Sequence, residues 1–265
     1  MSIGIAIAVP DGVALAADTQ TTWHRSQLKA KAKSGEEFEL AEPIRIPVGW
    51  SRMARKLFSA GFNGLSCAVL TAGESQVNQK SMYALLRSAA HKYNGNSDVG
   101  AVGEYLAGFV REELAKQFGC AIDELAEKPV KVCELILATY EEGDVARPVV
   151  ENHLIYSGTL TFNNKPNSSG YIRKWSNREQ KSRYGGCWIG RAEFVTHIVK
   201  HKNKALPPLS GQYNLMTLAD AAAYTRFLVE FTCDFQRFAV MVPDCGRPII
   251  SATLTPEGYQ ENVVD

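Results

Sequence analysis

The first eighteen residues constrain this chain more than any other stretch. Residues 3–9 (IGIAIAV) and 12–18 (GVALAAD) are two apolar runs around a turn. Side chains alternate along a strand, so a half-solvated strand carries polar residues at every second position. Neither run does, so both faces of this hairpin must be covered by other layers. The turn reads as a three-residue loop. Pro10 presets φ, Asp11 suits the next position, and Gly12 takes the left-handed conformation that closes a bulge. That loop pairs Val9 with Val13, Ala6 with Ala16 and Gly4 with Asp18. It puts Ser2, Gly4, Ala6, Ala8, Ala14, Ala16 and Asp18 on one face, and Ile3, Ile5, Ile7, Val9, Val13 and Leu15 on the other. A two-residue turn would shift the register by one and move Asp18 to the face opposite Ser2. The three-residue form is expected because it uses all of Pro10, Asp11 and Gly12. Ser2 and Asp18 are then neighbours at the open end of a small-residue face.

The remaining chain alternates blocks of strands and helices. Residues 19–37 are polar and aperiodic, as expected of an exposed loop or irregular hairpin, and residues 38–48 carry two prolines and read as extended. Leu65 to Thr71 is a buried strand closed by Ala72-Gly73. Helical spacing of Val77, Met82, Leu85, Leu86, Ala89 and Tyr93 predicts a helix over 75–93 capped by Ser75. Asp98 caps a second helix that ends at Gly119. Strands resume over VKVCELILATYEEG and PVVENHLIYSGTLTF. Residues 163–183 are polar and basic and are expected as loop. A third helix is predicted from Arg191 to Lys204, a fourth begins near Thr217 or Asp220, and GRPIISATLTPEGYQ closes the chain as strand and turn. Segregated strand and helix runs give an α+β fold, with two sheets sandwiched between helix layers.

Composition removes several function classes. The formal net charge is +1 over 265 residues, so no nucleic-acid partner is indicated. The basic and aromatic run at 171–183 reads as a surface loop for the same reason. No apolar run reaches a membrane span, and no basic region precedes the first strand as in a secretory signal. The six cysteines are scattered without a C-x-x-C, as expected of free thiols in a cytoplasmic protein. His197 and His201 lie one helical turn apart, but no third ligand accompanies them and the segment reads as a basic helix face; no metal is expected.

Ser2 is the one hydroxyl with a base built in. If Met1 is removed, its own α-amine, with a reference pKa of about 7.7–8.0, can take the hydroxyl proton. No G-x-S-x-G or ordered Ser/His/Asp set is visible as an alternative. The structural alternative is that Ser2 is simply a permissive second residue.

The run SIGIAIAVPDGVALAADTQTT resembles the N-terminal hairpin of proteasome β-type subunits, which belong to the N-terminal-nucleophile (Ntn) hydrolases. ARKLFSAGFNGLSCAVLTAGES resembles that family's second hairpin, where a lysine opens one strand and Ala-Gly closes the next. The R-K-L and L-T-A-G wording is most like the bacterial Anbu branch. The resemblance runs through most of the chain and is specific in residues 2–22 and 52–76. It implies a four-layer α-β-β-α sandwich over 1–265, with an insertion at about 23–51. It carries the nucleophile to Ser2, the aspartate to Asp18, the lysine to Lys56 and the oxyanion-hole N–H to Gly73. In those roles Lys56 lowers the α-amine pKa by like-charge repulsion and stabilises the developing alkoxide, and Asp18 fixes Lys56.

The departures are specific. Serine replaces the family's threonine, and Gln20 stands where the family has arginine. The insertion leaves Lys31 and Lys33 as rivals to Lys56. Gly190-Arg191-Ala192 replaces Gly-Ser-Gly, and the supporting aspartate is either Asp234 or Asp244. The expected activity is peptide or amide hydrolysis through Ser2 without cofactor. A homo-oligomer, ring or helical stack, is implied, and the sequence does not identify an ATPase partner. The alternatives are a catalytically silent proteasome-like subunit and a narrow amidohydrolase on the same fold.

Overall fold

The computed structural model describes residues 2–31, 37–125, 131–141, 146–158, 160–162, 165–167, 170–180, 183–199, 212–239 and 243–264. In chain order the strands are β1 (Ile3–Val9), β2 (Gly12–Asp18), β3 (Thr21–Lys31), β4 (Glu37–Ser51), β5 (Leu57–Phe62), β6 (Leu65–Gly73), β7 (Gln76–Val77) and β8 (Lys80–Ser81). Helices α1 (Met82–Lys92) and α2 (Val99–Phe118) follow. Then come β9 (Lys131–Glu141), β10 (Arg147–Tyr156), β11 (Leu160–Phe162), β12 (Lys165–Asn167), β13 (Tyr171–Ser176) and β14 (Gly185–Gly190). Helices α3 (Glu193–Val199) and α4 (Leu218–Phe238) precede β15 (Ile249–Thr255) and β16 (Gly258–Val264).

Both strands of the opening hairpin are buried along their whole length. The reason is a sheet ordered β14-β1-β2-β15-β16, antiparallel throughout, with a layer on each face. Ile3, Ile5, Ile7, Val9, Ala14 and Ala16 pack with α3 and α4. Ala6, Ala8, Val13, Leu15 and Ala17 face a second antiparallel sheet, ordered β13-β10-β9-β6-β5. The far side of that sheet is covered by α1 and α2 through Phe58, Val69, Leu85, Leu106, Leu135 and their neighbours. The result is the expected α-β-β-α sandwich. Each fully buried isoleucine or leucine of these cores contributes roughly 1.5–3 kcal/mol.

The hairpin register corrects the sequence reading. Val9 pairs with Gly12, Ala6 with Leu15 and Gly4 with Ala17, so the loop has two residues, Pro10 and Asp11. Gly12 lies inside β2 and does not adopt a positive φ. Glycine is required there by close approach: a Cβ would lie 2.8 Å from the Leu254 carbonyl oxygen and 3.0 Å from Leu218. Asp18 therefore follows Ala14 and Ala16 on the helix-side row, the face opposite Ser2 by alternation.

Other boundaries differ locally. Ser81, not Ser75, caps α1 by accepting a hydrogen bond from the Ala84 N–H. Residues 76–81 instead form a small hairpin with Asn78 and Gln79 at positive φ. Asp98 and Gly119 cap α2, and Thr217 with Asp220 forms the capping box of α4, as expected. Within the polar 163–183 stretch, Tyr171–Ser176 is not loop but the edge strand β13. The chain ends in a hairpin rather than a single strand. Of the expected 23–51 insertion, the described residues 23–31 and 37–51 lie in a two-stranded ribbon, β3–β4, running from Thr21↔Ser51 to Lys31↔Glu37 with two register shifts.

Candidate active site

The open end of the first hairpin abuts a cleft of about 180 Å³. Ser2, Lys56, Thr71, Ala72 and Gly73 line it together with Thr21, Ala54, Arg55 and Tyr83. Three different elements converge here: the start of β1, the residue before β5, and the end of β6.

Asp18 is fully buried, and four donors converge on it. Oδ1 accepts from the Ile3 N–H (2.9 Å) and from Lys56 Nζ (2.8 Å). Oδ2 accepts from the Gln20 and Gly246 N–H groups (both 3.1 Å). The shifted register accounts for this arrangement. Asp18 stands opposite Ile3, so its carboxylate reaches the backbone just after Ser2 from the other face of the sheet. Lys56 is buried as well, and its ammonium also donates to the Gln20 carbonyl. A lysine opening β5 is thus threaded under the end of β2. Breaking an ion pair buried to this extent is strongly destabilising, and two of the three Lys56 donors are taken, by Asp18 and the Gln20 carbonyl.

Ser2 is buried, with 5% of its surface exposed. Its carbonyl accepts from the Arg191 N–H at 2.7 Å. Gly190, at φ +80°, makes that approach possible: a Cβ there would lie 1.8 Å from the Ser2 oxygen. Gly73 ends β6 at φ +117°, where a Cβ would lie 2.5 Å from the Val132 carbonyl oxygen. Glycine is therefore demanded at both positions by geometry.

The rivals named from sequence separate in space. Lys31 ends β3 at the far end of the ribbon, ten residues from its root at Thr21, on the order of 33 Å along the strand. Lys33 lies outside the described residues. Asp234 is half exposed on α4 and pairs with Arg247 at 3.4 Å. Asp244 is buried and accepts from Arg191 Nη2 at 2.6 Å and Nε at 3.0 Å. His197 is exposed on α3, and His201 lies outside the described residues. Among the described residues no three His, Cys, Asp or Glu side chains are grouped to hold a metal, and no helix is long and apolar enough to cross a membrane.

Sequence reasoning missed the backbone partners. The N–H groups of Ile3, Gln20 and Gly246 and the carbonyl of Gln20 carry no side-chain signature. Gln20 holds segment 243–246 instead, donating through Nε2 to the Pro243 carbonyl at 2.7 Å. The neighbouring thiols of Cys233 and Cys245 are buried. Burial, and then the charge of Asp18, push both Cys233 and Cys245 well above the ordinary thiol range.

The sequence matches no family profile and no curated protein. Solved structures do match. A mutant Anbu from Hyphomicrobium sp. strain MC1 aligns over 100% of this chain and 87% of its own, at a TM-score of 0.55 and 14% identity. The fold is that of Anbu. Anbu (ancestral beta-subunit) from Yersinia bercovieri aligns over 99% of this chain and 88% of its own, at 0.53 and 15% identity. The helical assembly of the Anbu complex from Pseudomonas aeruginosa aligns over 99% and 86%, at 0.53 and 14% identity. At such identities the likeness is one of fold, and the Anbu sandwich is the proteasome-type, Ntn-like architecture expected from the two hairpins.

Proposed function

We propose that this chain is a proteasome-type N-terminal-nucleophile hydrolase that cleaves peptide or amide bonds through Ser2 once Met1 is removed. The observation that carries the reading is the buried Lys56–Asp18 pair, in contact at 2.8 Å, beside a cleft that Ser2 and Gly73 also line. A structural ion pair has no need of a cleft, a hydroxyl and a positive-φ glycine around it.

In this reading the Ser2 hydroxyl attacks the substrate carbonyl and its proton passes to the Ser2 α-amine. Lysine has three N–H donors. Asp18 and the Gln20 carbonyl take two of those on Lys56, and the third serves the Ser2 oxygen as alkoxide character develops. The tetrahedral oxyanion takes the Gly73 N–H. The amine leaves with the proton held by the α-amine, and water releases the acyl group from Ser2 by the same steps in reverse. Neither a metal nor a nucleotide enters this chemistry.

The chain acts as a homo-oligomer, by analogy with the helical assembly of its Pseudomonas aeruginosa neighbour. The second reading is a narrow amidohydrolase on the same fold, acting on one peptide or small amide. The test is covalent labelling by a peptidic epoxyketone, with Ser2→Ala as control. Labelling that Ser2→Ala abolishes supports the protease. An intact N-terminal serine that never labels, yet hydrolyses small amides, turns the assignment to the narrow enzyme. Met1 retained on essentially every chain rules out both and leaves a silent subunit.

A further inference from the structure

The Ser2–Ile3 peptide group is held on both sides. Its carbonyl accepts from the Arg191 N–H at 2.7 Å, and its N–H donates to Asp18 Oδ1 at 2.9 Å. The two holders come from different parts of the chain, and one short segment joins them. Gly246 donates to Asp18 Oδ2 at 3.1 Å. Two residues earlier, Asp244 takes a two-pronged hydrogen bond from the Arg191 guanidinium. The segment is itself anchored, since the fully buried Gln236 accepts from the N–H groups of Asp244 (2.8 Å) and Cys245 (3.1 Å).

We infer that the Arg191–Asp244 pair is a positioning device for the nucleophile. It locks the tight turn after β14 to segment 243–246, so that the Arg191 N–H and the Asp18 carboxylate address one peptide plane from fixed points. The local geometry requires such a lock. Gly190 stands at φ +80° and the Ala192 N–H closes back on the Gly190 carbonyl at 2.8 Å, a turn with only the small Ala192 methyl as apolar side chain of its own. A planar guanidinium bound through two N–H groups fixes orientation as well as distance, which a lysine does not do. Fixing the peptide plane fixes the Ser2 Cα and the axis about which its Cβ and α-amine turn, and so limits where Oγ can stand relative to Lys56. The inference rests on Ser2 being the nucleophile only for its kinetic consequence; the anchoring itself is independent of that reading.

The test has two readouts on Arg191→Met, Asp244→Asn and the conservative Arg191→Lys. Backbone amide hydrogen exchange reports the anchor. The Ile3 and Arg191 amides are expected to lose protection in Arg191→Met and Asp244→Asn while those of Ile5 and Ile7 keep theirs, with Arg191→Lys intermediate. Epoxyketone kinetics report the consequence. The maximal labelling rate is expected to fall about 10- to 100-fold, as for a nucleophile displaced by up to 1 Å, with the half-saturating concentration unchanged. Unaltered protection at Ile3 and Arg191 overturns the inference whether or not the protein labels. Lost protection with an unaltered maximal rate overturns its catalytic half. Wild-type protein that exposes Ser2 yet never labels counts against the hydrolase assignment, while the exchange data still decide the anchor.

Discussion

At the scale of single residues, the centre of the site is a charge pair that is almost wholly buried. Removing one member strands the other, at a cost of about 3–5 kcal/mol. Lys56→Met is therefore expected to lower unfolding stability by that order and to abolish epoxyketone labelling. The double variant Asp18→Asn/Lys56→Met should recover most of the stability, because no charge is left buried, without recovering labelling. Urea titration of the three proteins checks this; equal loss in the single and double variants would mean that the pair is not an isolated charge couple. Gly190→Ala makes a sharper local prediction. The added Cβ collides with the Ser2 carbonyl at a φ that L-residues rarely adopt. The variant should lose at least ~2 kcal/mol and most of its labelling, as read by thermal unfolding and adduct mass.

At the scale of elements, the two hairpins and the helix caps were legible in the sequence because each has a local signature. Continuous apolar runs define β1, β2 and β6, and Asp98, Gly119 and Thr217 delimit their helices with side chains and φ values. What stayed hidden is set by contacts distant in sequence. Gly12 looks like a turn glycine, but the carbonyl of Leu254, more than two hundred residues on, is what demands it. Ser75 looks like a cap, yet the chain there is captured by α2. Asn78 Nδ2 and Lys80 Nζ donate to Glu113 at 3.0 and 2.8 Å, and the Asn78 N–H donates to Gln117. That capture makes the 76–81 hairpin, which ends in Ser81 on the cleft wall. It also gives a pH signature. Hydrogen bonds from Lys116, Lys80 and Asn78 hold the Glu113 carboxyl down to about 2. A depressed carboxyl contributes stability above its unfolded value, near 4.3, that is lost as pH falls toward the folded value. With two solvent-exposed lysines as partners, the contribution is discounted to about 1–2 kcal/mol. Wild type should lose that much more stability than Glu113→Gln between pH 5 and pH 2.5. Parallel urea midpoints over that range would remove Glu113 from the account.

For the whole molecule, a serine at position 2, an aspartate ending β2 and a lysine before β5 meet only because two sheets stack with their ends in register. Sequence could name those residues through the resemblance of two hairpins to the proteasome β-type family. It left Lys31 and Lys33 beside Lys56 as candidates; the ribbon formed by the described residues 21–31 and 37–51 puts Lys31 at its far end, and Lys33 lies outside the described residues. The supporting aspartate was ambiguous for a similar reason: Asp234 and Asp244 are close in sequence, but one lies on the outer face of α4 and the other beneath Arg191. A chain of 29.1 kDa that assembles as proposed should appear in light scattering as a homo-oligomer several times that mass; a strictly monomeric species across micromolar concentrations would contradict it.

The most direct measurement is mass spectrometry of the protein after incubation with a peptidic epoxyketone, intact and then digested. An epoxyketone can be captured twice by one residue, through its hydroxyl and through a free α-amine, so a doubly bonded adduct requires both groups on the same serine. The expected result is a chain lacking Met1 and carrying one adduct on the N-terminal peptide at Ser2, absent in Ser2→Ala. A chain that retains Met1, or an adduct on any other residue, would contradict it.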